Sequence, residues 1–171
     1  MEWIILPVVI AAVLVIWLGL PAMLRAMGLH HRFAAPKRNL KGRRALIIAT
    51  SHDTLGDTGK KTGVFASEMT APYYAFLDAG MEVDVVSIKG GAIPVEPMSV
   101  KWPLKSEYDD RFLNDKDLRQ KVGAAKSVGQ VDGAQYDAVF LAGGWGAAFD
   151  FEQSPELGQL LLQAEDASAV I

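Results

Sequence analysis

Twenty-two consecutive residues, Trp3 to Leu24, carry no charge and are mostly Ile, Val, Leu and Ala. As a helix the run reaches roughly 33 Å, enough to cross a hydrocarbon core about 30 Å thick. Pro7 and Pro21 lie near its ends, where a missing backbone bond costs least, and Trp3 and Trp17 suit the interfaces. A cleaved signal peptide wants positive charge ahead of the apolar stretch, but Glu2 stands there and no clear small-x-small cleavage site follows. A buried core helix is the other alternative. Arg25, Arg32, Lys37, Arg38, Lys41, Arg43 and Arg44 all follow the run with no acid among them. The positive-inside rule therefore predicts a single-pass membrane protein with its N-terminus out and its C-terminal domain cytoplasmic. The same cations would attract a lipid bilayer with anionic headgroups, helped by His30 and His31 when protonated. Those histidines read as solvated linker residues rather than metal ligands, since no third ligand is near in sequence.

The remainder has the opposite charge. Residues 45–171 hold ten Lys/Arg against nineteen Asp/Glu, whereas residues 1–44 hold seven against one. An acidic domain of this kind has too few cations to neutralise phosphates, so no nucleic acid partner is expected. There is no cysteine among the 171 residues, which excludes disulfide scaffolds, thiolate metal sites and a cysteine nucleophile from them. The organisation that follows is a transmembrane helix over 1–25, a basic juxtamembrane linker over 26–44 and one α/β domain over 45–171.

Within that domain, Ala45–Thr50 is a short apolar run typical of a buried parallel strand. Thr62 to Ala79 places Val64, Phe65, Met69, Tyr73, Phe76 and Leu77 at helical spacing and predicts an amphipathic helix, interrupted or kinked at Pro72 and stopped by Gly80. Met81–Ile88 is a second strand. Ala92–Pro103, with three prolines, predicts an irregular surface excursion, and Asp109–Val122 a short exposed helix. Tyr136–Ala142 is the third strand, closed by the turn Gly143-Gly144-Trp145-Gly146. Ser154-Pro155-Glu156 starts a last helix with a capping hydroxyl, proline at the first position and an early acid, and Leu157, Leu160, Leu161 and Ala164 form its apolar stripe. Alternating strands and helices predict an open parallel sheet with helices on both faces. Ligands of such sheets bind beyond the carboxyl ends of the strands, where both loops of unusual chemistry, 51–61 and 143–150, lie.

The candidate motifs each admit two readings. Gly56 to Thr62 resembles a phosphate loop but fails its spacing, because Lys61 stands where a hydroxyl must reach magnesium. Gly143 and Gly144 could aim backbone N–H groups at an oxyanion, or simply form a turn that needs positive φ. Glu68, in a largely apolar helix, could be half-buried and relay a proton, or be an ordinary surface acid. His52-Asp53 reads mainly as loop-forming, with Asp53 bracing the turn. No G-x-S-x-G elbow exists, so a serine hydrolase has no support.

In order, Thr50-Ser51-His52-Asp53, Thr58-Gly59-Lys60-Lys61-Thr62-Gly63-Val64-Phe65, Glu68, Ala71-Pro72-Tyr73-Tyr74, Gly80-Met81-Glu82-Val83, Lys89-Gly90-Gly91 and Tyr136 to Gly144 resemble the PfpI-like, class I glutamine amidotransferase-like superfamily. The resemblance is to its stress-response branch of chaperone and glyoxalase III proteins, and it covers about three quarters of the chain, the apolar run excluded. It implies a flavodoxin-like sheet in the order 2-1-3-4-5 and cofactor-free conversion of methylglyoxal to lactate, with deglycase and chaperone activities related to it. It also implies a Cys-His pair beside a helix-borne glutamate. Glu68 matches that glutamate and Gly144 a backbone oxyanion donor. His52 and Trp145 would line the pocket, and Trp145 replaces the histidine common there, which changes the pocket's shape and polarity. No metal is implied.

The nucleophilic Cys and its His follow the next strand in the family. Here Ala169-Val170-Ile171 resembles the opening of that strand. The chain is therefore expected to be a fragment, a truncated gene product or half of a split protein, inactive in the family chemistry as it stands. Its third strand would be largely unpaired on one side, which invites pairing with another chain, including a homo-oligomer. Three readings compete: a membrane-tethered glyoxalase III-like protein acting on a small reactive aldehyde, a non-catalytic membrane-anchored interaction or holdase module, and a glutamine amidotransferase-like amidohydrolase.

Overall fold

The computed structural model describes residues 2–27 and 38–171. His30, His31, Arg32 and Lys37 of the basic linker lie outside the described residues. The chain divides into two compact units, residues 1–36 and 37–171. In the first, helix α1 (Glu2–Ala26) is continuous, with Leu6 to Gly19 exposed along its length. Its segment Leu6–Leu24 has a mean hydropathy of 2.4 and is long and apolar enough to cross a membrane.

The second unit is a four-stranded parallel sheet with helices on both faces, a flavodoxin-like arrangement. Strand β1 (Arg44–Ala49) is central, paired on one side with β2 (Glu82–Ser87) and on the other with β4 (Ala138–Leu141). Leu46 lies opposite both Asp84 and Val139. Successive side chains of a strand point to opposite faces. Ala45, Ile47 and Ala49 accordingly join the cluster under α2 (Ala66–Asp78), α3 (Glu107–Asn114) and α4 (Lys116–Gly123). Leu46 and Ile48 join the one under α6 (Pro155–Asp166), with Leu157, Leu160 and Ala164. Ser154 caps α6 by accepting from the Leu157 N–H (3.2 Å), as the Ser-Pro-Glu start indicates.

Several elements depart from the sequence reading. A two-residue strand, β3 (Lys126–Ser127), pairs outside β2, so the order is β3-β2-β1-β4. Two residues carry no periodicity to read. The first helix of the domain begins at Ala66 rather than Thr62, because Val64 pairs with Val95 and the N–H of Val64 donates to Pro94 O (2.9 Å), which holds residues 62–65 extended. That helix continues through Pro72 to Asp78. Residues 92–103 are irregular but not merely superficial, since Ile93 and Ser99 are buried. The segment 109–122 forms two helices instead of one exposed helix, and Asp109, Phe112, Leu118 and Val122 are buried. Asp115 divides them: it ends α3 and caps α4, accepting from the N–H groups of Asp117 and Leu118 (both 3.0 Å). Nor is the outer side of β4 wholly open. The Val139 N–H donates to Val170 O (2.8 Å) and the Val170 N–H to Asp137 O (3.0 Å), so Val170 lies against the first residues of β4.

Candidate functional site

The site is assembled where three loop segments meet the turn after β4 at the carboxyl end of the sheet. After β1, Thr50 is fully buried and donates from Oγ1 to Asp150 Oδ1 (2.8 Å), while Asp150 Oδ2 accepts the Ser51 N–H (2.7 Å). Asp150 ends the short helix α5 (Ala147–Asp150), so this carboxylate ties the loop after β1 to the turn after β4. Beyond it, Asp53 braces the loop through Lys61 (2.8 Å) and the Thr54 hydroxyl (2.9 Å). Lys61, and then Thr54, hold the Asp53 carboxyl below its ordinary pKa. The His52 ring instead contacts Thr54 O through Nε2 and stacks on Phe149, with centroids 4.4 Å apart, so His52 and Asp53 form no acid/base pair.

The second segment, Thr62 to Phe65, leads into α2. The N–H of Phe65 donates to Gly143 O (3.0 Å) and the N–H of Gly146 to Gly63 O (3.3 Å), so it lies against the Gly143–Gly146 turn. The backbones approach so closely that only glycine fits. Gly144 has φ +136°, and a Cβ there would come within 2.5 Å of Gly63 O and 2.6 Å of Phe65 N. A Cβ on Gly63 would overlap Pro94 O.

The third segment, 94–99, anchors the start of α2. The buried Ser99 Oγ accepts the Ala66 N–H (3.0 Å) and donates to Glu96 O (2.6 Å), and the Glu96 carboxylate accepts from the Thr62 hydroxyl (2.9 Å). Ser99 thereby satisfies one of the orphan N–H groups at the helix start, a role usually filled by an N-cap side chain. Here that position is Phe65, whose side chain cannot accept.

This clamp places Glu68 in the first turn of α2, where the positive end of the helix favours an anion. Its Oε2 lies 3.5 Å from the position a Cβ on Gly143 would take, and its Cγ and Cδ lie 3.9 Å from it. The carboxylate therefore sits directly over the Gly143 backbone. The N–H groups of Gly144 and Trp145 donate to no protein acceptor among the described residues. The site thus offers a carboxylate and unclaimed N–H groups at one strand end, the parts required for moving a proton beside a developing oxyanion.

Two expectations are corrected by this geometry. Glu68 is exposed, not half-buried, because nothing among the described residues covers its outer side. His52 is not placed with it: it lines a separate cleft with Phe149 and Lys89 that includes none of Glu68, Gly143 and Gly144. Trp145 follows Gly144 directly and is 65 % exposed. Among the described residues no three His, Cys, Asp or Glu side chains converge on a metal position. Sequence reasoning missed Asp150, Ser99 and Glu96. Each acts through a partner far away in the chain, and only the Gly63 and Gly144 pattern hinted that two backbones meet.

No family model matches the chain. The glutathione-independent glyoxalase hsp3102 of Schizosaccharomyces pombe is 32 % identical over 120 residues, covering 68 % of this chain and 50 % of that protein. The glutathione-independent glyoxalase HSP31 of Saccharomyces cerevisiae is 31 % identical over 124 residues, covering 72 % of this chain and 50 % of that protein. The solved structure of Rapid Encystment Protein 24 KDa from Francisella tularensis matches with a TM-score of 0.66 at 38 % identity, covering 70 % of this chain and 52 % of that one. Glyoxalase III of Candida albicans shares the fold, with a TM-score of 0.66 at 24 % identity over 75 % of this chain and 54 % of that one. The chain spans about half the length of the curated relatives it matches.

Proposed function

We propose that residues 45–171 supply the glutamate and oxyanion half of a glyoxalase III-like site, one that converts methylglyoxal to lactate without glutathione. The observation that carries this is the Glu68 carboxylate lying over Gly143 beside the unclaimed Gly144 N–H. In this reading a thiolate adds to the aldehyde carbon to give a hemithioacetal. Glu68 takes the proton from that carbon and the Gly144 N–H stabilises the enediolate oxygen. The proton returns to the neighbouring carbon, and water then releases lactate from the thioester and restores the thiol. No cysteine is among the 171 residues, so the thiol comes from outside them. We assign α1 as a single-pass anchor in a lipid bilayer, with the basic residues and the α/β domain on the cytoplasmic side. Its length, its lack of charge and the cations that follow it support this.

Methylglyoxal consumption without glutathione tests the reading. The 171-residue chain is compared with a chimera that continues into the second half of the Schizosaccharomyces pombe relative. The chimera turns over and the chain alone does not, and Glu68→Gln in the chimera lowers kcat by about 10²-fold or more. Equal rates for chain and chimera, or an unaffected Glu68→Gln chimera, overturn it. A second reading, a holdase or interaction module, is favoured by β4, where Phe140 and Leu141 have no strand beyond them among the described residues. Suppression of client aggregation by the chain alone, lost when Phe140 is replaced by Lys, would support that reading.

A further inference from the structure

The sheet carries a second opening at its carboxyl end, away from Glu68. A cleft of about 890 Å³ lies where the segments after β1, β2, β3 and β4 converge, lined among others by His52, Lys89, Gln130, Phe149, Gln153 and Glu156. Open parallel sheets bind ligands at such a position. Its walls are held by hydrogen bonds: Asp150 has both oxygens engaged by Thr50 and Ser51, and Ser51 Oγ accepts the Lys89 N–H (2.8 Å).

Three kinds of group converge there. The rings of His52 and Phe149 are stacked, 4.4 Å apart and 11° from parallel, and both are half-buried at the cleft wall. Because a carbonyl oxygen only accepts, the contact with Thr54 O puts the hydrogen on His52 Nε2 and fixes the ring's orientation. The Lys89 ammonium is exposed and forms no ion pair among the described residues. The carboxylate of Glu156 holds only a long bond from Ser154 Oγ (3.3 Å) and has an oxygen to spare. A preset aromatic wall suits a flat heterocycle, a carboxylate accepts from sugar hydroxyls and an unpaired ammonium takes an anion. We propose that this cleft is a mononucleotide site, with the base against the His52–Phe149 pair, the ribose hydroxyls on Glu156 and the phosphate on Lys89.

The test is calorimetric titration of the 171-residue chain with AMP, adenosine and ribose 5-phosphate. AMP is expected to saturate in the sub-millimolar range, with each partial probe at least about tenfold weaker. Lys89→Ala lowers AMP affinity about tenfold and leaves adenosine unchanged. Phe149→Leu weakens AMP and adenosine alike, and His52→Ala does the same should the Phe149 variant not fold. Failure of AMP to saturate by about 5 mM overturns the proposal. So does equal AMP affinity in Lys89→Ala, or equal adenosine affinity in the ring variants. Loss of AMP binding in Glu68→Gln would assign the nucleotide to the other site and equally overturn it.

Discussion

On the α2 side of the sheet, Ala45, Ile47 and Ala49 are sealed beneath three helices in a cluster of sixteen buried residues. On the α6 side, Leu46 and Ile48 share a cluster of nine under one helix. The α2 side also encloses polar groups that satisfy one another. Thr70 donates to the fully buried Asp109 (2.7 Å), which closes a capping box with Ser106, and the Tyr74 hydroxyl donates to Asp115 (3.0 Å). The α6 side leaves an open slot over β2, where the half-buried Arg44 and the buried Tyr136 both donate to the half-buried Asp84. The difference shows where rigidity is invested. Glu68 stands on the better sealed face, on a helix start clamped by Ser99 and the Gly63 turn, and the open cleft and the exposed part of the β4 edge lie elsewhere.

Glycine substitutions should strike hardest, and on both faces alike. A Cβ on Gly63 would overlap Pro94 O on the α2 side, and one on Gly133 would overlap Leu160 O on the α6 side. Each Ala variant should lose more than about 3 kcal/mol in urea unfolding. If Gly133→Ala is tolerated, α6 is free to move off the sheet and the contrast sharpens. Core truncation comes next. Met69→Ala and Leu160→Ala each remove a fully buried side chain and should cost about 2–5 kcal/mol, with the α6 variant at the lower end because its smaller cluster can collapse around the gap. Equal losses would argue that the faces are equally well packed.

A smaller effect is expected from Thr70→Val, which removes one donor from Asp109 and should cost about 1–3 kcal/mol with the fold retained. Alkaline titration probes the α6 side. Burial, and then the nearby Asp84, push the Tyr136 hydroxyl from its ordinary 10 up to about 12. The neutral phenol is thus favoured in the fold, and its stabilisation is intact below pH 10 and lost as pH rises through about 12. Tyr136→Phe should flatten the fall in stability between pH 10 and about 12. Part of the fall should persist, because burial and then Asp115 raise Tyr74 in the same direction. The smallest effect falls on the exposed Glu68, where Glu68→Gln should change stability by less than about 0.5 kcal/mol. A larger loss would make Glu68 part of the clamp rather than its cargo.

The legible part of the fold was periodic or punctuated. The apolar run of β1, the Val-rich β2 and the Ser-Pro-Glu start of α6 all stand within one or two residues of where pattern places them. Glu68 and the Gly143–Gly144 turn could be named because the resemblance pairs them, and the structure brings them into contact. What could not be read depends on long-range partners. β3 exists because two residues find Val86 and Ser87, and α3 and α4 are half-buried because a charged segment lays Phe112 and Leu118 on the sheet's helical layer. The place of the His52 ring, against Thr54 O and stacked on Phe149, is likewise set by side-chain and backbone partners that no sequence pattern displays.

By itself the sequence determined an uncharged apolar run long enough, as a helix, to span a bilayer, and an acidic α/β domain with two Gly-bearing loops at its strand ends. Those follow from local hydrophobic period and charge, which need no partner to be read. Only the tertiary structure decided that Glu68 lies over Gly143 while His52 faces a different cleft. The reason is physical. Three backbone segments distant in sequence pack at van der Waals distance around Gly63 and Gly144, and such a close approach depends on all three together, so no single stretch of sequence displays it.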